Sequence, residues 1–182
     1  MKWKEKGLGD KRIVRIDFST DESYQKKLRQ LAVSCGFKYL TLGSILVTSL
    51  LDNEKFVYMI QRHHNTQLHY WVTPREENGE IVYKMENRTL EERTLKPFVS
   101  KYLDFKRDKR LKLSFTNEYN AKLSMLSTSC NMRSKAELIA LLVHFALDDE
   151  LILLQLQETY NKNRHYWVIP ICENGIVSYL LG

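Results

Sequence analysis

Two stretches of this chain repeat each other, and that repetition limits the possible folds more than any other feature. His69-Tyr-Trp-Val72 recurs as His165-Tyr-Trp-Val168, Pro74 and Pro170 follow at equal distance, and Asn78-Gly79 recurs as Asn174-Gly175. Identical tetrapeptides in register with identical turn signals point to an internal duplication. Upstream, Val14, Ile16 and Phe18 alternate with Arg15 and Asp17, just as Leu111, Leu113 and Phe115 alternate with Arg110, Lys112 and Ser114. Such alternation puts apolar side chains on one face of a strand and polar ones on the other.

Each copy continues with helical spacing. In the second, Tyr119, Leu123 and Leu126 mark an amphipathic helix that breaks near Cys130-Asn131. Ser134 then reads as the N-cap of a helix, Ala136 to Leu147, that is apolar nearly all round. In the first copy a helix is expected from about Asp21, with Tyr24, Leu28 and Leu31 ahead of a break at Cys35-Gly36. A second helix follows from about Thr41 through Leu51, although its Gly43 lowers helix propensity. Val57 to His64 and Leu151 to Gln157 are rich in β-formers and are expected to be strands, ahead of the hairpins closed by the Asn-Gly turns. The expected fold is therefore α+β: two tandem β-α-α-β-β-β repeats, each ending in a β-meander, related by a pseudo-twofold. Residues 1–10 read as a flexible basic arm, 11–86 as repeat 1, 87–108 as a linker and 109–182 as repeat 2. Pro97 would open a short helix over Phe98 to Phe105 in the linker.

The net charge of +6 is spread along the chain rather than gathered in a tail. A basic balance is compatible with nucleic acid without identifying it. Three cysteines, Cys35, Cys130 and Cys172, have neither disulfide nor zinc spacing. No apolar run reaches the length of a membrane span, and Met1 to Lys6 lacks the apolar core of a signal peptide. A cytoplasmic protein without contact to membranes is expected.

Strand, amphipathic helix, short turn and apolar helix, in that order, resemble the ribbon-helix-helix DNA-binding family, which includes the Arc, MetJ and CopG repressors. There, two units intertwine and their strands pair antiparallel into a ribbon that enters the major groove. The resemblance covers about forty residues of each copy. It implies one ribbon made within the chain, with Arg15 and Asp17 from one strand and Arg110, Lys112 and Ser114 from the other reading base edges. It also implies that a backbone phosphate is held at the start of each second helix, by Ser134 and Lys135 in one copy and by Lys38 to Thr41 in the other. The expected partner is double-stranded DNA, with no cofactor and no metal. The expected role is that of a transcriptional regulator or an accessory factor in plasmid maintenance or transfer. The β-meander could carry a homo-oligomer along the DNA.

Other readings compete. A winged helix shares part of the element order, but its recognition helix must show polar residues, and Ala136 to Leu147 has almost none. Asp52 and Asp148 end matching apolar helices and could flank a metal, as in a duplicated LAGLIDADG-type endonuclease. The repeated His69/His165 and Trp71/Trp167 could bind a metal or stack bases, although alternating aromatics more often pack a sheet onto helices. Lys2, Trp3, Lys4 and Lys6 could reach a DNA groove. No nucleophile–base pair or phosphate loop is present, so no enzyme is expected. A protein-interaction module without DNA binding is the rival of a different class.

Overall fold

The computed structural model describes residues 14–65, 70–87, 100–161 and 166–182. It is an α+β structure with three two-stranded antiparallel sheets. The sheet that ties the chain together pairs β1 (Val14–Thr20) with β4 (Lys109–Phe115). Val14 lies opposite Phe115, Ile16 opposite Leu113 and Phe18 opposite Leu111. Phe18, Leu111, Leu113 and Phe115 are buried, while Arg15, Asp17, Arg110 and Lys112 are exposed. The period-two pattern thus sets the register, because a slip of one residue would turn four buried side chains to solvent.

Helix α1 (Glu22–Ser34) is capped by the Asp21 carboxylate, which accepts from the Tyr24 N–H at 2.8 Å. It ends at Cys35, and Gly36 takes the left-handed conformation that lets the chain turn, at φ +70°. Helix α2 runs Tyr39–Leu51, beginning two residues before the expected Thr41. Its Gly43 has a packing reason. A Cβ at that position would lie 2.9 Å from Leu113 Cδ2, so α2 crosses β4 more closely than a larger residue allows. In the second copy α5 (Asn117–Ser129) and α6 (Lys135–Asp148) occupy the corresponding places, with Ser134 as the cap of α6. Between the copies, the short helix α4 covers Ser100–Leu103 and ends before the expected Phe105, while Pro97 and Phe98 lie outside the described residues; Tyr102 is in the core and Leu103 packs against it.

One expectation fails in both copies at once. Val57 to His64 lies in helix α3 (Glu54–His64), and Leu151 to Gln157 lies in helix α7 (Glu150–Tyr160). The β-rich composition misled, whereas capping and spacing decide the conformation. Asn53 accepts from Phe56 N and Asp149 from Ile152 N, so both segments start with a side-chain cap. Phe56, Val57, Ile60 and Gln61 are buried at helical intervals, as are Ile152, Leu153, Leu156, Gln157 and Tyr160. Each copy is therefore β-α-α-α-β-β, and the expected three-stranded meander is a two-stranded hairpin. The hairpins are β2 (Tyr70–Glu77) with β3 (Glu80–Asn87), and β5 (Val168–Glu173) with β6 (Ile176–Leu181). Both turn at Asn-Gly with two successive positive φ angles, 52° and 80° in one and 52° and 77° in the other, as a type I′ turn requires.

Helices α2 and α6 pack against each other at the centre, buried over most of their length. β4 lies on α2 and β1 on α6, so each copy's strand covers the other copy's helix. The polar contacts repeat this exchange. Tyr24 and Lys27 of α1 donate to Asp148 at 2.9 and 2.6 Å, while Tyr119 and Lys122 of α5 donate to Asp52 at 2.7 and 2.8 Å. Within each copy a buried glutamine reads strand backbone. Gln61 bonds both N–H and C=O of Val72, and Gln157 does the same for Val168. Tyr83 and Tyr179 each donate to the last turn of the apolar helix, at Leu51 O and Leu147 O, both at 2.6 Å. Among the described residues no single helix is long and apolar enough to cross a membrane.

Removing one partner of a buried ion pair leaves the other charge without compensation. Lys27 and Asp148 are each only 8% exposed. Asp148→Ala is expected to lower unfolding free energy by about 3–5 kcal/mol, and Asp52→Ala by less, because Lys122 keeps Glu118 Oε1 at 2.7 Å. Urea denaturation followed by circular dichroism measures both.

Candidate nucleic-acid interface

The solvent side of the β1–β4 ribbon carries three cross-strand pairs. Arg15 lies opposite Ser114, Asp17 opposite Lys112, and Ser19 opposite Arg110. All five residues expected to read bases therefore stand on one face of one sheet. Ser19 is the addition. The strand runs two residues beyond the expected Phe18, and the alternation Arg15, Asp17, Ser19 was the available signal. At the centre Lys112 Nζ lies 3.6 Å from Asp17 Oδ1, with both side chains more than half exposed. A pair that wet contributes little to stability, so either partner can be given up to another ligand.

The two helix starts expected to hold phosphate are not equivalent. At α2, Lys38 is the N-cap and makes no side-chain capping bond, which leaves the first-turn N–H groups without a side-chain acceptor. An open groove of about 870 Å³ runs from there to the ribbon, lined among others by Arg15, Arg29, Lys38, Tyr39, Thr41 and Ser114. Arg29, whose guanidinium lies 5.1 Å from the Tyr39 ring centre, was not among the expected residues. At α6 the same positions are engaged. Ser134 Oγ accepts from Glu137 N at 3.2 Å, and Glu137 accepts from Arg133 N at 2.8 Å. Lys135 Nζ donates to Asn120 Oδ1 at 2.6 Å. A carboxylate already complements the positive end of that helix dipole. The adjoining cleft, about 220 Å³, is walled by Leu103 and Phe105 and carries Arg107 and Arg133.

One end of the ribbon is fixed by a buried histidine. His144 Nδ1 is 3.0 Å from Tyr102 O, which can only accept, so Nδ1 carries the proton. Nε2 is then the acceptor for the Thr20 hydroxyl at 2.8 Å. The ring stacks on Tyr24 at 3.7 Å and meets the edge of Phe105. The position has no histidine counterpart in the first copy. Burial disfavours the imidazolium and pushes the His144 pKa down to about 4.

Asp52 and Asp148 do not face each other across a shared site; each carboxylate is taken up by a tyrosine and a lysine of the opposite copy. Among the described residues no three His, Cys, Asp or Glu side chains converge to hold a metal ion. Trp71 is buried and stacks near Tyr58, with ring centres 6.4 Å apart, while Trp167 extends the second hairpin by exchanging two backbone bonds with Gly182. His69, His165, Lys2, Trp3, Lys4 and Lys6 lie outside the described residues. No protein-family model, curated protein or solved structure matches this chain.

The histidine gives a pH prediction with a definite sign. Its folded pKa lies below the ordinary value of about 6.5, so the unfolded chain binds the proton more readily. The stability that depends on neutral His144 is present above about pH 6.5 and is lost as pH falls toward 4. The loss should be on the order of 3 kcal/mol. Urea midpoints measured from pH 7.5 to 4.5 are expected to fall less steeply in His144→Gln than in the unaltered protein.

Proposed function

We propose that this protein binds double-stranded DNA sequence-specifically, by laying the β1–β4 ribbon into the major groove. The observation that carries the reading is the antiparallel pairing of two short strands, one from each copy, whose polar face is turned to solvent. A two-stranded ribbon fits the major groove, where each base pair displays a distinct set of donors and acceptors. Arg15, Arg110 and Lys112 suit guanine, and Asp17 can accept from cytosine once Lys112 turns to a base. The order of strand and two helices, and its resemblance to the ribbon-helix-helix family, supports the same reading. The winged-helix alternative needs an exposed recognition helix, whereas α2 and α6 are buried over most of their length.

The face is not symmetric. Exchange of the copies carries Arg15 and Ser114 onto Lys112 and Asp17, so the two half-sites meet different side chains. The preferred duplex is an imperfect palindrome. Phosphates flanking the groove are held at the start of α2, by Lys38 and Thr41 with Arg29 nearby, and less strongly at Ser134 and Lys135, whose groups already have partners. The biological role that fits is transcriptional regulation, or an accessory part in plasmid maintenance or transfer.

Binding-site selection from random duplexes tests the proposal. Arg110→Ala with Lys112→Ala is expected to abolish site selection while circular dichroism stays unchanged, since both side chains are exposed. Each lost base contact should cost about 1–3 kcal/mol of discrimination. Unaltered selectivity would refute the ribbon reading, and salt-insensitive failure to bind any duplex would favour a protein-interaction module. Lys38→Ala should weaken binding to all sequences alike and reduce the slope of log affinity against log salt by about 1. Lys135→Ala should change that slope less.

A further inference from the structure

The two hairpins share a backbone plan but not a surface. On the outer face of β2–β3, Thr73 lies opposite Lys84 and Arg75 opposite Val82. Thr73 is buried and Val82 is 42% exposed, but the charged side chains Arg75 and Glu86 are internally bonded, with Arg75 Nη2 3.4 Å from Glu86 Oε1 and Thr73 Oγ1 3.2 Å from Glu86 Oε2. The corresponding pairs on β5–β6 are Ile169 opposite Leu180 and Ile171 opposite Ser178, followed by Glu173 opposite Ile176. Ile169 is 46% exposed, Leu180 55% and Ile176 71%. The inner face of the same hairpin is already used, by Val168 in the core and by Tyr179 bonded to Leu147 O.

We infer that the outer face of β5–β6 is a contact between two copies of this chain. Its exposed side chains offer on the order of 350 Å² of apolar surface, comparable to the largest patch on a typical monomer. Glu173, at the turn end, is the one ionisable side chain among its cross-strand pairs, so the centre offers no charge for a charged partner to match. A second copy brings the same uncharged aliphatic surface, and a patch that meets itself closes as a twofold dimer. Among the described residues the outer face of the sibling hairpin carries Arg75 and Lys84 where this one carries Ile171 and Leu180, so it offers no matching aliphatic cluster and the assembly stops at two. Facing patches bury about 700 Å² together, under the roughly 1,200 Å² of standard stable interfaces. The dimer is therefore reversible and dependent on concentration. This contact does not rest on the DNA reading.

Sedimentation velocity without DNA, across loading concentrations from about 10 μM to about 1 mM, is the test. The protein is expected to shift from monomer toward dimer as concentration rises. The triple variant Ile169→Thr, Ile171→Arg, Leu180→Lys rewrites the face with its sibling's residues, which the same backbone plan already carries. It should remain monomeric throughout, with circular dichroism and thermal midpoint unchanged. The reverse variant Arg75→Ile with Lys84→Leu, both at exposed positions, gives the chain a second patch and should produce species larger than dimers. A monomer at every concentration would overturn the inference and leave the face to a foreign partner. A dimer that survives the triple variant would overturn it too, by locating the contact elsewhere.

Discussion

A single β-strand cannot stand alone, because none of its backbone donors and acceptors has a partner within it. In this chain the strand that opens the first copy finds its partner at the start of the second, so neither copy can form this sheet by itself. The consequence reaches the core: β4 covers α2 and β1 covers α6, and the two apolar helices bury their remaining surface against each other. A duplicated sequence thus produces one interwound unit rather than two beads.

Buried polar groups then fix how the copies sit. Apolar packing is tolerant of small displacements, whereas a lysine ammonium and a tyrosine hydroxyl converging on one carboxylate are not. Asp52 and Asp148, at the ends of α2 and α6, receive those donors from the opposite copy. Gln61 and Gln157 do comparable work within each copy, joining α3 and α7 to the hairpins through two backbone bonds apiece. The carboxylates that invited a metal-site reading from sequence are explained by this role.

Against that shared skeleton the surfaces have diverged, and divergence is where function enters. The start of α2 opens onto a basic groove beside the ribbon, while the start of α6 is filled by its own serine and glutamate. His144 and α4 support the ribbon end at Thr20 in one half without a histidine counterpart in the other. A ribbon with unlike halves suits an unlike pair of half-sites. A hairpin that is polar in one copy and aliphatic in the other suits one contact and not two.

The sequence by itself determined the duplication, the facing of β1 and β4, the start of the first helix near Asp21, the cap at Ser134, and both Asn-Gly turns. Each depends on a residue's own chemistry or on a period of two to four residues, which local order displays. Arg15, Asp17, Arg110, Lys112 and Ser114 were legible for the same reason. Tertiary structure decided what local order leaves open. The segments Val57 to His64 and Leu151 to Gln157 carry β-forming side chains, but their helical conformation follows from caps one turn earlier and from glutamines bonded to strands eleven residues on. Gly43 is a weak helix residue by its own chemistry, and only Leu113 packed against it explains its place. That Lys135 is occupied and Lys38 is not, and that one hairpin face is left bare, depends on side chains brought together from distant parts of the chain. No spacing rule records such neighbours, because they exist only once the two copies have closed on each other.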